Sequence, residues 1–366
     1  MNFRSFLGNS ETVRQLQEML VSDRLPHALI LAGGRGAGKY SLALALTQTI
    51  HCLQPQRENG LPDACNVCAN CTRIAEAHDL NARVAEAVEA RDQLRETDRK
   101  ETRILIQPHP DVLILPPDPP QLLIKVGQVR LLIQNVQRLP SEGRRKIYIF
   151  SKSAFMNEAA NSLLKVLEEP PPYAHIFLLS ENPADLLPTI RSRANVLRLH
   201  PVPLPQLEEI LAAERPTWKP KQRALVARLA EGAVGRALSF DLDAYIATRK
   251  DALLLLHTAL AEPDHSALFR VTEGYRAGGE GQHKTQELLR ALTSLLEDLL
   301  LLHAGAPEGA RNIDVESELR ALAAGVRFEW IEQAAQAIGQ VESGMRRNLL
   351  RSLSLDALAA QMGKGA

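Results

Sequence analysis

His27-Ala28-Leu29-Ile30-Leu31-Ala32-Gly33-Gly34-Arg35-Gly36-Ala37-Gly38-Lys39-Tyr40 decides how this chain folds. A short apolar run, Ala28 to Ala32, meets a glycine-rich segment, and a helical pattern follows from Tyr40 through about Ile50. That order reads as a buried strand, a tight loop and a helix. Four residues separate Gly33 from Gly38 and Lys39 follows directly, which is the spacing of a phosphate-binding loop. In such a loop the backbone N–H groups and the helix N-terminus face a polyphosphate, and the lysine reaches its outer phosphates. Gly33, Gly36, Gly38 and Lys39 are therefore the candidate phosphate-binding residues. The bland alternative is a plain strand-to-helix turn, against which the matching strand and helix flanks speak.

The departure from the motif matters more than the match. Tyr40 stands where a Ser or Thr hydroxyl ligates Mg²⁺. A phenol on a longer, bulkier arm does not fit that site, and Ser41 comes one residue too late. The second nucleotide motif is an apolar strand ending in an acidic metal ligand. Lys146-Ile147-Tyr148-Ile149-Phe150 is the right strand, but it ends in Ser151-Lys152, with no carboxylate. Two separate parts are lost in the same functional direction. The loop fold is expected to remain, with ATP or ADP binding weak or absent and the Mg²⁺ that neutralises transferred charge lacking its anchors.

Further strands are expected at Val112–Leu115, Ile147–Phe150 and Ile176–Leu179, with helical segments over Val126–Leu139 and Asn157–Leu167 between them. Strands alternating with helices predict an α/β fold, a parallel sheet covered on both faces. After His200 the strand signals stop. Pro201, Pro203 and Pro205 mark a boundary, and Leu207–Ala213, Gln222–Ala230 and the Leu/Ala-rich stretches to Met362 read as helix. The expected division is 1–200, a small helical unit over 201–243 and a larger all-α domain over 244–366. Residues 274–281 and 305–309 read as loops, and the charged segment 81–103 as an extra helix or a disordered excursion.

All four cysteines fall within twenty residues: Cys52, then Cys65, Cys68 and Cys71 in a C-x₂-C-x₂-C run. Four thiolates satisfy a tetrahedral Zn²⁺ in a closed, structural site. The main alternative is buried free thiols; in a reducing compartment disulfides are a weak one, and an iron–sulfur cluster has no electron-transfer feature beside it. The reading is structural zinc, in a module on which the sheet's core does not depend.

Lys plus Arg and Asp plus Glu number 43 each, so the formal net charge is zero, and aromatics are only 4%. A protein that grips nucleic acid alone has a basic excess and aromatic platforms. Any DNA contact is therefore expected to be shared with partners. No apolar run approaches the roughly 18 residues of a membrane span, and Met1-Asn2-Phe3-Arg4 does not open a secretory signal, so a cytoplasmic location is expected.

Several motifs then coincide. The cysteine cluster follows the loop helix, and His109-Pro110-Asp111 and Asn161-Ser162-Leu163-Leu164-Lys165-Val166-Leu167-Glu168-Glu169-Pro170 come after it. Thr189-Ile190-Arg191-Ser192-Arg193-Ala194 and Gly232-Ala233-Val234-Gly235-Arg236-Ala237-Leu238 complete the set. Together these resemble the AAA+ bacterial clamp-loader family of DNA polymerase III, the gamma/tau and delta-prime subunits. The resemblance runs from His27 to the terminal helix near Leu349 to Leu358. It implies an AAA+ domain with a zinc module, a helical lid and a C-terminal helical collar that oligomerises. It also implies gamma/tau and delta subunits as partners, with the sliding clamp and primer–template DNA met through the complex. In that family's Ser-Arg-Cys motif, here with Ala194 for the Cys, the arginine acts in trans on a neighbour's ATP, which assigns Arg193 an arginine-finger role. Arg236 falls in the second sensor motif of the lid. Gamma/tau keeps both nucleotide motifs whereas delta-prime has an impaired site, so Tyr40, Ser151 and Lys152 place the chain with delta-prime, helping load the clamp without hydrolysing ATP itself. The alternatives are an active gamma/tau-type ATPase and a zinc-stabilised nucleic-acid-binding adaptor.

Overall fold

In the computed structural model, described for residues 2–119, 121–261, 278–345 and 357–358, a six-stranded sheet organises the N-terminal part. The strands are β1 (Ala28–Ala32), β4 (Ile106–His109), β5 (Val112–Leu115), β6 (Lys146–Phe150), β7 (Ala174–Ser180) and β8 (Asn195–Arg198). Their order is β4-β5-β6-β7-β1-β8, and all neighbours run parallel except β4, which pairs antiparallel with β5 at the edge. The expected parallel sheet is thus present, extended by an antiparallel edge strand.

Period-two alternation builds both faces. Leu29, Leu31, Ile147, Ile149, Phe177 and Leu179 join one core cluster, while Ala28, Ile30, Tyr148, Phe150, Ile176 and Leu178 join another. Because both faces are covered, the strands read as continuous apolar runs. The first face is packed by α1 (Ser10–Val21), α2 (Lys39–His51) and α3 (Ala69–Ala75), and the second by α6 (Val126–Val136) and α7 (Asn157–Glu168). Between α2 and α3 lies a two-stranded antiparallel hairpin, β2 (Gln56–Glu58) with β3 (Leu61–Asp63).

The charged segment 81–103 is helical. It forms α4 (Leu80–Asp92), capped by the Asp79 carboxylate accepting from the Ala82 N–H at 3.0 Å, and α5 (Glu96–Glu101). Leu80, Val84 and Ala87, at helical spacing, lean on the first core cluster. Arg91 reaches the fully buried Asp118 at 2.6 Å, with Lys125 at 3.4 Å from the same oxygen. A buried carboxylate needs such partners, because an isolated charge out of water is costly.

Contacts divide the chain into two compact units, 1–203 with 232–236, and 204–231 with 237–366. Among the described residues the elements of the second unit are helices: α9 (Leu204–Glu214), α10 (Pro220–Leu229), α12 (Leu242–Ala261), α13 (Gly278–His303), α14 (Glu316–Ala324) and α15 (Phe328–Met345). The five-residue helix α11 (Val234–Leu238) crosses the division. Leu256, Leu292, Leu319 and Trp330 sit in the second unit's own core. Of the loop expected over 274–281, residues 278–281 open α13, and 274–277 lie outside the described residues. The 305–309 segment turns at Gly305 into a 3₁₀ turn over Pro307–Gly309. Most of the helix expected near Leu349 to Leu358 lies outside the described residues, although Leu358 is buried in this core.

Candidate functional site

The phosphate loop leaves the sheet at the carboxyl end of β1, where the Gly33 N–H donates to the Ser180 carbonyl at 3.2 Å. Gly36 and Gly38 take φ of +79° and +88°, conformations that L side chains rarely adopt, and Gly38 caps α2. Lys39 turns back on the loop itself. Its Nζ donates to the Gly33 carbonyl at 2.6 Å and the Gly34 carbonyl at 2.8 Å. Burial pulls Lys39 below the ordinary lysine value, while the Glu181 carboxylate just beyond β7 acts to raise it.

Two elements distant in sequence close on this loop. The Gly235 N–H donates to the Gly36 carbonyl at 2.8 Å, and a Cβ on Gly36 would stand 2.8 Å from the backbone N of Arg236. A Cβ on Gly38 would meet the Phe6 ring at 2.9 Å. The structure therefore brings Gly33, Gly36, Gly38, Lys39 and Arg236 together. Phe6 and the Gly36–Gly235 backbone contact carry no local sequence signal, and only the second-sensor stretch around Gly235 pointed towards them.

Tyr40 turns away from the loop. Its hydroxyl donates to the Ala77 carbonyl at 2.6 Å, its ring packs against the first core cluster, and burial pushes the phenol above its usual range. The β6 strand ends at Phe150, and the Ser151 N–H continues the sheet to the Leu115 carbonyl at 3.2 Å. No carboxylate follows at 151 or 152.

The metal-ligating atoms of Cys52, Cys65, Cys68 and Cys71 all lie within 4.8 Å of one another, and none forms a disulfide. Zn–S bonds of about 2.3 Å in a tetrahedron put sulfurs about 3.8 Å apart, so the cluster fits a Cys₄ zinc site. The Cys65 N–H faces the Cys52 sulfur and the Cys68 N–H the Cys65 sulfur, each at 3.3 Å. Burial raises the Cys68 thiol, yet N–H groups of Cys71 and Leu53 outweigh it and draw the thiol down to about 6. At Cys52 and Cys71 burial prevails and raises the thiols, so the amide geometry favours the thiolate, the form a metal binds, at Cys68.

The module's last ligand lies close to the sheet's core: Ile74 and Ala77, on and just after α3, belong to the same buried cluster as Leu29 and Phe177. The Gln48 amide donates to the Cys71 carbonyl at 2.8 Å, and the Asn70 amide to the His51 carbonyl at 3.0 Å, both buried. Cys71 itself is fully buried, whereas Cys65 is half-buried. Cys71→Ser is accordingly expected to destabilise the N-terminal unit by about 1–3 kcal/mol more than Cys65→Ser, because the smaller, more polar hydroxyl replaces a fully buried sulfur. Denaturant midpoints and zinc content of the two variants check this; equal midpoints would support a separable module.

Arg193 lies after α8 (Pro188–Arg191), on the opposite end of a short loop from β8. Its Nη1 donates to the Thr189 carbonyl at 2.9 Å and faces the Ser192 hydroxyl at 3.3 Å, while Nη2 is 2.9 Å from Glu168 Oε1. None of these partners belongs to the phosphate loop.

The family described as "DNA polymerase III, delta subunit" matches residues 8–203, more than half of the chain. The chain belongs to this family. This delta-family chain is 26% identical over 294 residues to the DNA polymerase III subunit delta′ of Bacillus subtilis, covering 80% of the chain and 77% of that relative. It is 30% identical over 243 residues to the DNA polymerase III subunit tau of Escherichia coli, covering 65% of the chain but only 32% of the relative's length. Among solved structures, a DNA polymerase III gamma subunit-related protein from Thermotoga maritima aligns at 20% identity and a TM-score of 0.43, covering 96% of this chain and 99% of that one. Among the described residues, no helix of this delta-family chain is long and apolar enough to cross a membrane.

Proposed function

We propose that this chain is a delta-prime-type subunit of the DNA polymerase III clamp loader. It assembles with gamma/tau and delta subunits and helps place the sliding clamp on primer–template DNA in the cytoplasm, without hydrolysing ATP itself. In this reading residues 1–200 are the AAA+ domain, 201–243 the lid and 244–366 the collar through which the subunits join. Zinc, held by Cys52, Cys65, Cys68 and Cys71, is structural: the closed set of four thiolates leaves no coordination position for a substrate.

The observation that carries the reading is Tyr40. The position that anchors Mg²⁺ in an active loop holds a phenol whose hydroxyl is bound to the Ala77 carbonyl, and Ser151-Lys152 supplies no second anchor. Phosphoryl transfer depends on that metal to neutralise developing charge, so the chain's own site lacks the means. Lys39, engaged with the Gly33 and Gly34 carbonyls, and the Gly36–Gly235 contact support weak or absent nucleotide binding. The isolated chain is expected to hydrolyse ATP no faster than background. Turnover like that of an active AAA+ ATPase, abolished by Lys39→Ala, would replace this reading with the gamma/tau one.

Arg193 then works outward. As an arginine finger it meets the γ-phosphate held by the adjacent gamma/tau subunit, where its permanent charge and planar fork stabilise charge spread over the oxygens. Arg236, facing a disabled loop, is a relic of the second sensor.

A further inference from the structure

Opposite Arg193 stands the carboxylate of Glu168. Glu168 is the last residue of α7, and Glu169 follows it. The C-terminal end of a helix carries the negative pole of the backbone dipole, which favours cations and disfavours carboxylates. Two adjacent glutamates there repel that pole and each other. Among the described residues, the ion pair of Glu168 is with Arg193, across the packed ends of α7 and α8.

The guanidinium has five N–H donors. The Thr189 carbonyl and Ser192 hydroxyl face Nη1, and Glu168 faces Nη2, so contacts on two sides fix the plane of the fork while Nε makes no hydrogen bond among the described residues. The Arg193 side chain is 35% exposed and that of Glu168 51% exposed, open enough for a second chain to reach. An exposed pair of this kind adds little to stability. Its effect lies in orientation: an unrestrained arginine samples many rotamers, and ordering it on a partner's phosphate costs entropy that Glu168 removes beforehand.

We infer that Glu168 is the positioning residue of Arg193, holding the finger oriented for a neighbour's phosphate before the subunits meet. This rests on the trans-acting role assigned to Arg193 above. Glu168 does not touch the reacting atoms; it acts through the arginine alone.

The experiment is a double-mutant cycle in the complete complex with gamma/tau and delta, read by single-turnover ATP hydrolysis with clamp and primed DNA present. Misplacing a catalytic group by about 1 Å can cost on the order of 10²-fold, and the Thr189 carbonyl remains as a partial guide, so Glu168→Ala is expected to slow hydrolysis at the adjacent site about tenfold. The loss falls on kcat, with KM for ATP unchanged, because the neighbour's nucleotide contacts are untouched. Glu168→Gln, which keeps the oxygen and loses the charge, recovers part of the rate. Glu168→Ala in an Arg193→Ala background adds nothing further. A structural role would instead lower the melting temperature or weaken assembly of Glu168→Ala. Wild-type or faster hydrolysis by Glu168→Ala, beside a slow Arg193→Ala, overturns the positioning role and leaves the finger standing. Additive losses in the double variant also overturn it. Wild-type hydrolysis by Arg193→Ala removes the finger and this inference together.

Discussion

Arg193→Ala in the assembled clamp loader is expected to slow ATP hydrolysis at the one site this subunit abuts by about 10³- to 10⁵-fold, the range set by arginine fingers. In the proposed assembly, charge in the transition state would gather on oxygens bound to the neighbour, so the cation that meets it would come across the interface. The variant's fold is expected to be intact. Among the described residues, the polar contacts that Arg193 loses are to Thr189, Ser192 and the exposed Glu168, and a half-exposed pair contributes about 1 kcal/mol at most. Zinc content and assembly should equal wild type, and other ATP sites should keep their rates, so the steady-state loss is partial while one single-turnover phase nearly disappears. Arg193→Lys is expected to rescue poorly, keeping the charge but not the fork. Wild-type hydrolysis and clamp loading by the Arg193→Ala complex would reduce Arg193 to an ordinary surface residue.

The second large effect concerns Asp298, fully buried in α13. Its carboxylate accepts from the Arg311 N–H, the Asn312 N–H and the Asn312 side-chain amide, each at 2.8 Å. Asn312, also fully buried, accepts in turn from the Tyr245 hydroxyl at 2.7 Å and from Arg249 at 3.0 Å. One carboxylate thus pins the 311–312 turn onto α12 and α13. Asp298→Ala removes the acceptor of three donors, two of them buried, and removing one member of a buried charged network costs about 3–5 kcal/mol. For a unit of this size that lowers the unfolding transition by about 6–20 °C, measurable by calorimetry on the full chain. The N-terminal unit's zinc content should not change. A shift below 2 °C would mean that the turn is held by something other than this carboxylate.

What the sequence made legible follows from how each element is buried. Leu29 and Leu31 alternate with Ala28 and Ile30, yet all are apolar because both faces are covered, so the central strands stand out. The edge strand β8 has no fully buried residue, β2 is exposed throughout, and β4 carries Gln107 and Pro108 between its buried ends. These three gave no hydrophobic signal and went unread. The phosphate loop and the cysteines were readable because their chemistry needs fixed local spacing. Phe6 against Gly38, Gly235 against Gly36 and Tyr40 on Ala77 join residues far apart in the chain, and nothing in local pattern encodes such meetings. The segment 81–103 was ambiguous because neither of its helices buries a residue fully; Val84 and Ala87 only lean on the core, and Arg91 reaches Asp118.

The Tyr40 hydroxyl on the Ala77 carbonyl also bears on history. Changing Tyr40 back to serine supplies the hydroxyl a metal would want, but it empties the space of an aromatic ring beside the core and strands a carbonyl at the end of α3. Removing a large core aromatic typically costs about 3–5 kcal/mol, a substantial part of the 5–15 kcal/mol by which a domain is stable. A carboxylate at Ser151 or Lys152 would still be missing. Reversion therefore crosses a valley in which the intermediate is less stable and no more active than its parent. The phenol is thus part of the scaffold as well as a missing ligand, and a single Tyr40→Ser change would not restore a metal-binding loop.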